Sequence, residues 1–225
     1  MKTFLITGAS TGIGAATARL AVNSGYRVAL AARSQDKLER LVDELGGPEN
    51  VISILCDVTS YEDQLNMVDK TLNAFGRINV VFANAGVGAT QAGTENGDPE
   101  NWKEMILTNF YGCVLTAKVC LPEIKKNQGH ILITSSIAGR KTNPGSVYGA
   151  TKWGVTGYGY NLRAELEGTG ARVTLIEPGM VDTPFFYEPK PSGLRDDDVA
   201  GAVMYAVSQP VSVDVSEIVI NPISG

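Results

Sequence analysis

Thr3-Phe4-Leu5-Ile6-Thr7-Gly8-Ala9-Ser10-Thr11-Gly12-Ile13-Gly14 is the stretch on which the fold of this chain turns. Thr3–Thr7 is a short run of apolar and β-branched residues, as a buried strand requires. It runs straight into a glycine-rich turn, and a helix-period segment, Gly12–Asn23, follows. Glycines in such a turn let the backbone bend sharply and come close to a pyrophosphate. The helix that follows offers unpaired N–H groups and a positive dipole end. No Gly-Lys-Ser/Thr follows the turn, which excludes the phosphate loop of nucleoside triphosphatases.

The same rhythm continues outward from this unit. Strands are expected at Arg27–Ala32, Val51–Cys56, Ile78–Ala83, His130–Thr134, Arg172–Ile176 and Glu217–Ile220. Most are rich in Val, Ile and Leu with little alternation, which suits strands covered on both faces. Helical segments lie between them, among them Gln35–Leu45, Tyr61–Phe75 and Ser146–Glu167. The expected fold is therefore α/β: one domain over residues 1–225, with a doubly wound parallel sheet of about seven strands and helices on both faces.

Composition narrows the function classes. The 225 residues carry 44% apolar and 19% charged side chains and a net charge of −5. Such a surface repels phosphate backbones, so no nucleic-acid partner is expected. No unbroken apolar run reaches the roughly 18 residues of a membrane span, and no signal-peptide segment precedes the glycine turn. Three unclustered cysteines, Cys56, Cys113 and Cys120, suit buried thiols of a reducing compartment, hence a cytoplasmic protein. One histidine, His130, and no CxxC pair leave no expected metal site. His130 stands where a strand begins, a poor place for the base of a Ser-His-Asp triad.

The second strand ends Ala31-Ala32-Arg33-Ser34. In dinucleotide folds an acid at this end bonds the adenosine ribose and repels a 2′-phosphate. No acid is present, and Arg33 offers phosphate a planar fork. The cofactor expected from these residues is NADP(H) rather than NAD(H). Further along, Tyr148-Gly149-Ala150-Thr151-Lys152 sets a phenol and an ammonium at i and i+4, on one face of a helix. A nearby Lys is expected to lower the phenol pKa from about 10 and make it a usable general acid or base. The strand ending in Thr134-Ser135-Ser136 brings serine hydroxyls to the end of the sheet where α/β proteins put their chemistry.

Taken in order, Thr7-Gly8-x-x-x-Gly12-x-Gly14, Asn84-Ala85-Gly86, Asn109, Ser136 and Tyr148-x-x-x-Lys152 resemble the short-chain dehydrogenase/reductase family over nearly the whole chain. The resemblance implies a Rossmann-like oxidoreductase acting between CH–OH and C=O. It implies that Tyr148 transfers the proton, that Lys152 tunes it and binds nicotinamide ribose, and that Ser136 orients the substrate oxygen. Asn109 would hold a water that connects Lys152 to solvent. Gly8, Ser10, Thr11, Gly12, Ile13 and Gly14 would receive the pyrophosphate. Asp57 and Val58 would meet the adenine, and Asn84, Ala85 and Gly86 would flank the cofactor. Pro178, Gly179, Val181 and Thr183 resemble the segment that holds the carboxamide. The family's serine usually lies thirteen residues before its tyrosine. Here Ser135 has that spacing, and Ser136, twelve before Tyr148, matches the local Ser-x-Ala-Gly pattern. Alternation along the strand lets only one reach the site, and Ser136 is preferred on the local pattern.

Two further expectations concern shape and assembly. The proline-rich stretch from Pro178 to Arg195 interrupts the α/β rhythm, and its part at about 183–195 is expected to be a substrate loop. Phe185, Phe186 and Tyr187 could close it as a lid over a small or medium substrate. Gly149, Gly154, Gly157 and Gly159 in the Tyr148 helix permit close helix approach, and a homodimer or homotetramer is expected. The rival reading is a nonenzymatic NADPH-binding regulator, which would need the glycine turn but not Tyr148, Lys152, Ser136 and Asn109. A sugar-nucleotide epimerase normally needs a larger C-terminal substrate region than the 46 residues, 180–225, that follow Gly179.

Overall fold

Alternate residues of the central strands enter two different cores. In β1 (Thr3–Thr7), Phe4 and Ile6 pack into one core and Leu5 into the other, and all five residues are buried. This is why the strand reads as an unbroken apolar run. The computed structural model describes residues 1–223. Helix α1 (Gly12–Asn23), β2 (Arg27–Ala32), α2 (Gln35–Glu44), β3 (Val51–Leu55), α3 (Tyr61–Phe75) and β4 (Val80–Ala83) complete the first half. The second half holds α4 (Pro99–Met105), α5 (Gly112–Lys126), β5 (His130–Thr134), α6 (Val147–Glu165) and β6 (Arg172–Pro178). Two short strands follow, β7 (Val181–Asp182) and β8 (Leu194–Arg195), then α7 (Asp196–Ser208) and β9 (Glu217–Ile220).

Seven strands form one parallel sheet in the order β3-β2-β1-β4-β5-β6-β9, as the apolar runs predict. Helices α1, α2 and α7 cover one face, through Ala18, Leu38 and Val203 among others. Helices α3, α5 and α6 cover the other, through Met67, Cys120 and Val155. Strand β7 pairs with β8 in a separate ribbon, so the expected loop at 183–195 is clipped at its base and its last two residues are strand.

The continuous helical stretch Pro99–Lys126 is long and apolar enough to cross a membrane by length and composition, although polar residues interrupt it and no unbroken apolar run in it is that long. Half of its most apolar window is buried inside the protein, and Ala117, Cys120 and Ile124 of that stretch lie in the core. Its middle, Ile106–Tyr111, is a π-helical turn, and this is where Asn109 sits. Burial pushes the thiols of Cys56 and Cys113 up to about 12, and that of Cys120 higher still, so all three stay protonated.

His130 is buried at the start of β5, on the sheet edge opposite the one where the glycine turn emerges. Its Nε2 lies 2.7 Å from Thr174 Oγ1, and the Thr174 hydroxyl donates to the Val215 carbonyl. The Thr174 oxygen therefore accepts from Nε2–H, and Nδ1 is left buried without a partner among the described residues. Burial, with Arg172 nearby, draws the imidazole pKa down to about 3. Above about pH 6.5 the ring is neutral in both folded and unfolded chains. As pH falls towards 3 the unfolded chain binds a proton that the native one refuses, so stability falls by about 1.4 kcal/mol per pH unit. Urea midpoints measured from pH 7 to pH 4.5 should drop more steeply for the natural protein than for His130→Gln. Parallel curves would remove His130 as the cause.

Candidate active site

The sheet order reverses between β1 and β4, and a crevice opens beyond the carboxyl ends of these two strands. A cavity of about 310 Å³ lies there. Thr7 and Asn84 stitch the strand ends together around it. Thr7 Oγ1 accepts from the N–H groups of Asn84 (3.1 Å) and Ala85 (3.3 Å). The Asn84 amide donates to the carbonyls of Thr7 and Gly8, and its Oδ1 accepts from Thr134 Oγ1 at 3.1 Å. Asn84, Ala85 and Gly86 line the cavity, but the Asn84 amide is already occupied by two neighbouring strand ends, those of β1 and β5.

Gly8, Ser10, Thr11, Gly12 and Ile13 form the cavity floor at the start of α1. Gly8 and Gly12 have φ of 63° and 53°, a left-handed backbone that L side chains resist. Gly14 lies beneath the lining, where a Cβ would stand 2.3 Å from the Gly8 carbonyl oxygen. Thr11 makes no side-chain cap, so the first-turn N–H groups of α1 have no side-chain acceptor at the N-cap.

At the ends of β2 and β3 the lining includes Ala32, Arg33, Asp57 and Val58. The Arg33 side chain is half exposed and lies 3.4 Å from Glu104. Asp57 Oδ1 accepts from the N–H and the hydroxyl of Thr59, at 2.9 and 2.8 Å. Lys103 of α4 borders a shallower hollow that also touches Arg33. Sequence reasoning missed this second cation, because nothing local says that α4 returns to the end of β2.

The opposite end gathers Ser136, Tyr148 and Lys152. Ser146 caps α6 by accepting from Gly149 N–H at 2.9 Å, and this starts the helix so that Tyr148 and Lys152 share a face. Ser136 Oγ donates to the Pro178 carbonyl at 3.3 Å and accepts from Ala138 N–H, and its hydroxyl lies near enough to the Tyr148 phenol to favour the phenolate. Ser135 also lies against the cavity, but its hydroxyl is tied to the Lys152 carbonyl (3.2 Å) and Thr156 (2.7 Å). Of the two serines, Ser136 is the one that meets Tyr148.

The electrostatics differ from the expectation for a Tyr–Lys pair. Burial pushes the Tyr148 phenol up to about 12, and the nearby Ser136 hydroxyl only partly offsets this. The Lys152 ammonium sits 5.7 Å from the Tyr148 ring centroid and donates to the Thr134 carbonyl at 2.8 Å. Burial draws this ammonium itself down to about 8. Desolvation therefore outweighs the attraction of ammonium for phenolate. Asn109 is buried beside this end and does not line the cavity. Its Oδ1 accepts from Val87 N–H at 2.8 Å, and its Nδ2 donates to the Val87 carbonyl and Thr151.

Pro178, Gly179, Val181 and Thr183 form the far wall, and Thr183 lies directly over the glycine turn, 3.2 Å from where a Gly12 Cβ would stand. Phe185 and Phe186 also line the cavity, whereas Tyr187 projects into solvent at 89% exposure. Most of the glycine stripe of α6 serves its own fold: Gly159 packs on Leu175, Gly154 on Phe110, and only Gly157 faces open space. The least legible feature was Glu177. Its carboxylate is fully buried, paired with Arg140 and bonded by Thr156, which in turn meets Ser135. Arg140 also pairs with Glu217 of β9. Glu177 reads as one polar residue in a strand, and only the packing of Arg140 and of α6 against β6 supplies its partners.

The comparisons agree with this geometry. The sequence profile described as short chain dehydrogenase matches residues 2–191. An uncharacterised oxidoreductase of Listeria monocytogenes is 36% identical over 241 residues, spanning 99% of this chain and 97% of that one. The alcohol dehydrogenase from the archaeon Thermococcus sibiricus, complexed with 5-hydroxy-NADP, superposes with a TM-score of 0.92 at 34% identity, over 100% of this chain and 98% of its own. Serine dehydrogenase from Escherichia coli gives a TM-score of 0.90 at 31% identity, with 99% of both chains covered.

Proposed function

The chain belongs to the short-chain dehydrogenase family of oxidoreductases, and from that premise we propose that it uses NADP(H) to reduce a carbonyl, or oxidise the matching alcohol, of a small or medium substrate. The observation that carries the reading is one cavity with two chemically distinct ends. Arg33 stands at one, at a strand end where Ala32 supplies no carboxylate and beside only a half-exposed surface pair with Glu104, and Ser136, Tyr148 and Lys152 converge at the other.

The residues present fit the cofactor. The left-handed Gly8 and Gly12, the close approach at Gly14 and the uncapped start of α1 make a cradle for a pyrophosphate. Arg33 would take the 2′-phosphate, and Asp57 with Val58 would border the adenine. Lys152 would hold nicotinamide ribose hydroxyls, and Pro178, Gly179, Val181 and Thr183 the carboxamide. The bound nucleotide supplies or accepts the hydride. Tyr148, kept protonated by burial across neutral pH, is the proton donor in reduction. Ser136 holds the substrate oxygen beside it. Lys152, drawn towards neutral pH and 5.7 Å from the Tyr148 ring, would favour the phenolate that forms as Tyr148 gives up its proton. Asn109 would hold a water near Lys152 through the open lone pair of its Oδ1, while its amide ties down Val87.

A nonenzymatic regulator would leave the convergence of Ser136, Tyr148 and Lys152 without a use. The substrate loop of about 183–195 bears the apolar cavity wall. A homodimer or homotetramer belongs to the same proposal, resting on half-exposed Trp153 and Tyr160 of α6, and sedimentation at micromolar concentration tests it. The activity itself is tested by loss of 340 nm absorbance with a panel of ketones and aldehydes. NADPH should be consumed with at least one of them, at a kcat/KM well above that with NADH. Tight nucleotide binding with no consumption across the panel would favour the regulator.

A further inference from the structure

At the Tyr148 end the wall that faces Tyr148 from the loop is apolar. Phe185 meets the Tyr148 ring edge-on at 5.7 Å, and Phe186 meets Phe185 at 5.1 Å. Phe185 reaches that position only because residue 88 is glycine: a Cβ there would stand 2.9 Å from its ring. Among the described residues that line the cavity, the charged ones are Arg33, Asp57 and Lys152. Arg33 and Asp57 stand at the ends of β2 and β3, on the far side of β1 from Tyr148. The Lys152 ammonium is bonded to the Thr134 carbonyl. Lys190, the cation of the aromatic loop, does not line the cavity; it lies 5.6 Å from the Phe186 ring and 4.0 Å from Glu188.

We propose that the site selects an uncharged carbonyl substrate, a simple ketone, aldehyde or keto ester, against a keto acid or other carboxylate. A carboxylate placed against Phe185 and Phe186 would lose its hydration, and the one ammonium at that end, Lys152, is bonded to the Thr134 carbonyl and on the proposed reading serves the nicotinamide ribose. Phe185, seated against Gly88, is then the residue that sets the size of the group carried beside the reacting carbon.

This inference rests on the hydride-transfer reading, and matched pairs separate the two. Oxidation of NADPH is followed with ethyl acetoacetate against acetoacetate, and with methyl acetylbenzoate against free acetylbenzoate. The ester of each pair should exceed its acid in kcat/KM by about 100-fold or more, the scale of an unpaired buried charge. Lys190→Ala should leave that ratio unchanged. Phe185→Ala should improve kcat/KM for the aryl ester relative to ethyl acetoacetate. Equal or better use of the acids, or a ratio that depends on Lys190, overturns the uncharged-substrate inference while hydride transfer stands. An unchanged aryl preference in Phe185→Ala removes Phe185 as the size wall. No NADPH oxidation with any member overturns both readings.

Discussion

Tyr148→Phe should lower kcat by about 10²–10⁴-fold, the usual worth of a positioned general acid, and leave nucleotide affinity nearly unchanged. The substitution keeps the ring, its edge contact with Phe185 and its place beneath the Lys152 ammonium. It removes only the hydroxyl that faces Ser136. The pH profile carries a second signature. The phenol is held at about 12 and the Lys152 ammonium at about 8. In the natural protein reduction should therefore hold through neutral pH and decline above about pH 8, as Lys152 loses the charge that favours a developing phenolate. More than a tenth of natural kcat in Tyr148→Phe would exclude Tyr148 as the acid.

Arg33→Asp should lower kcat/KM for NADPH by about 10²–10³-fold, through loss of charge-assisted hydrogen bonds and addition of a like charge. NADH should change far less, since it carries no 2′-phosphate. Arg33 is free to serve this role because its side chain is half exposed and its contact with Glu104, at 3.4 Å, is a surface pair of little energy. Ala32 supplies no carboxylate, so the discrimination falls to Arg33, with Lys103 of α4 close to the same hollow. A natural protein that used both nucleotides equally well would refute the assignment.

The parts of this protein that were legible in its sequence are those that depend on neighbours in the chain. Strand identity followed from apolar runs such as Phe4–Ile6, because a strand buried on both faces cannot alternate. The glycine turn was legible because Gly8 and Gly12 meet a local conformational demand. The common face of Tyr148 and Lys152 followed from helical spacing, given a start that Ser146 caps. The tertiary structure alone decided the rest. Ser135 and Ser136 are adjacent, and which one meets Tyr148 depends on how α6 and β6 pack around them. The Tyr–Lys spacing suggests a lowered phenol pKa, but desolvation by the surrounding fold raises it. Phe185, Phe186 and Tyr187 are equivalent as letters, yet two line the cavity and one is in solvent. Glu177 finds Arg140 and Thr156 only across the sheet. Periodicity and turn chemistry are written over a few residues, whereas desolvation, hydrogen-bond partners and the shape of a cavity are set by segments far apart in the chain.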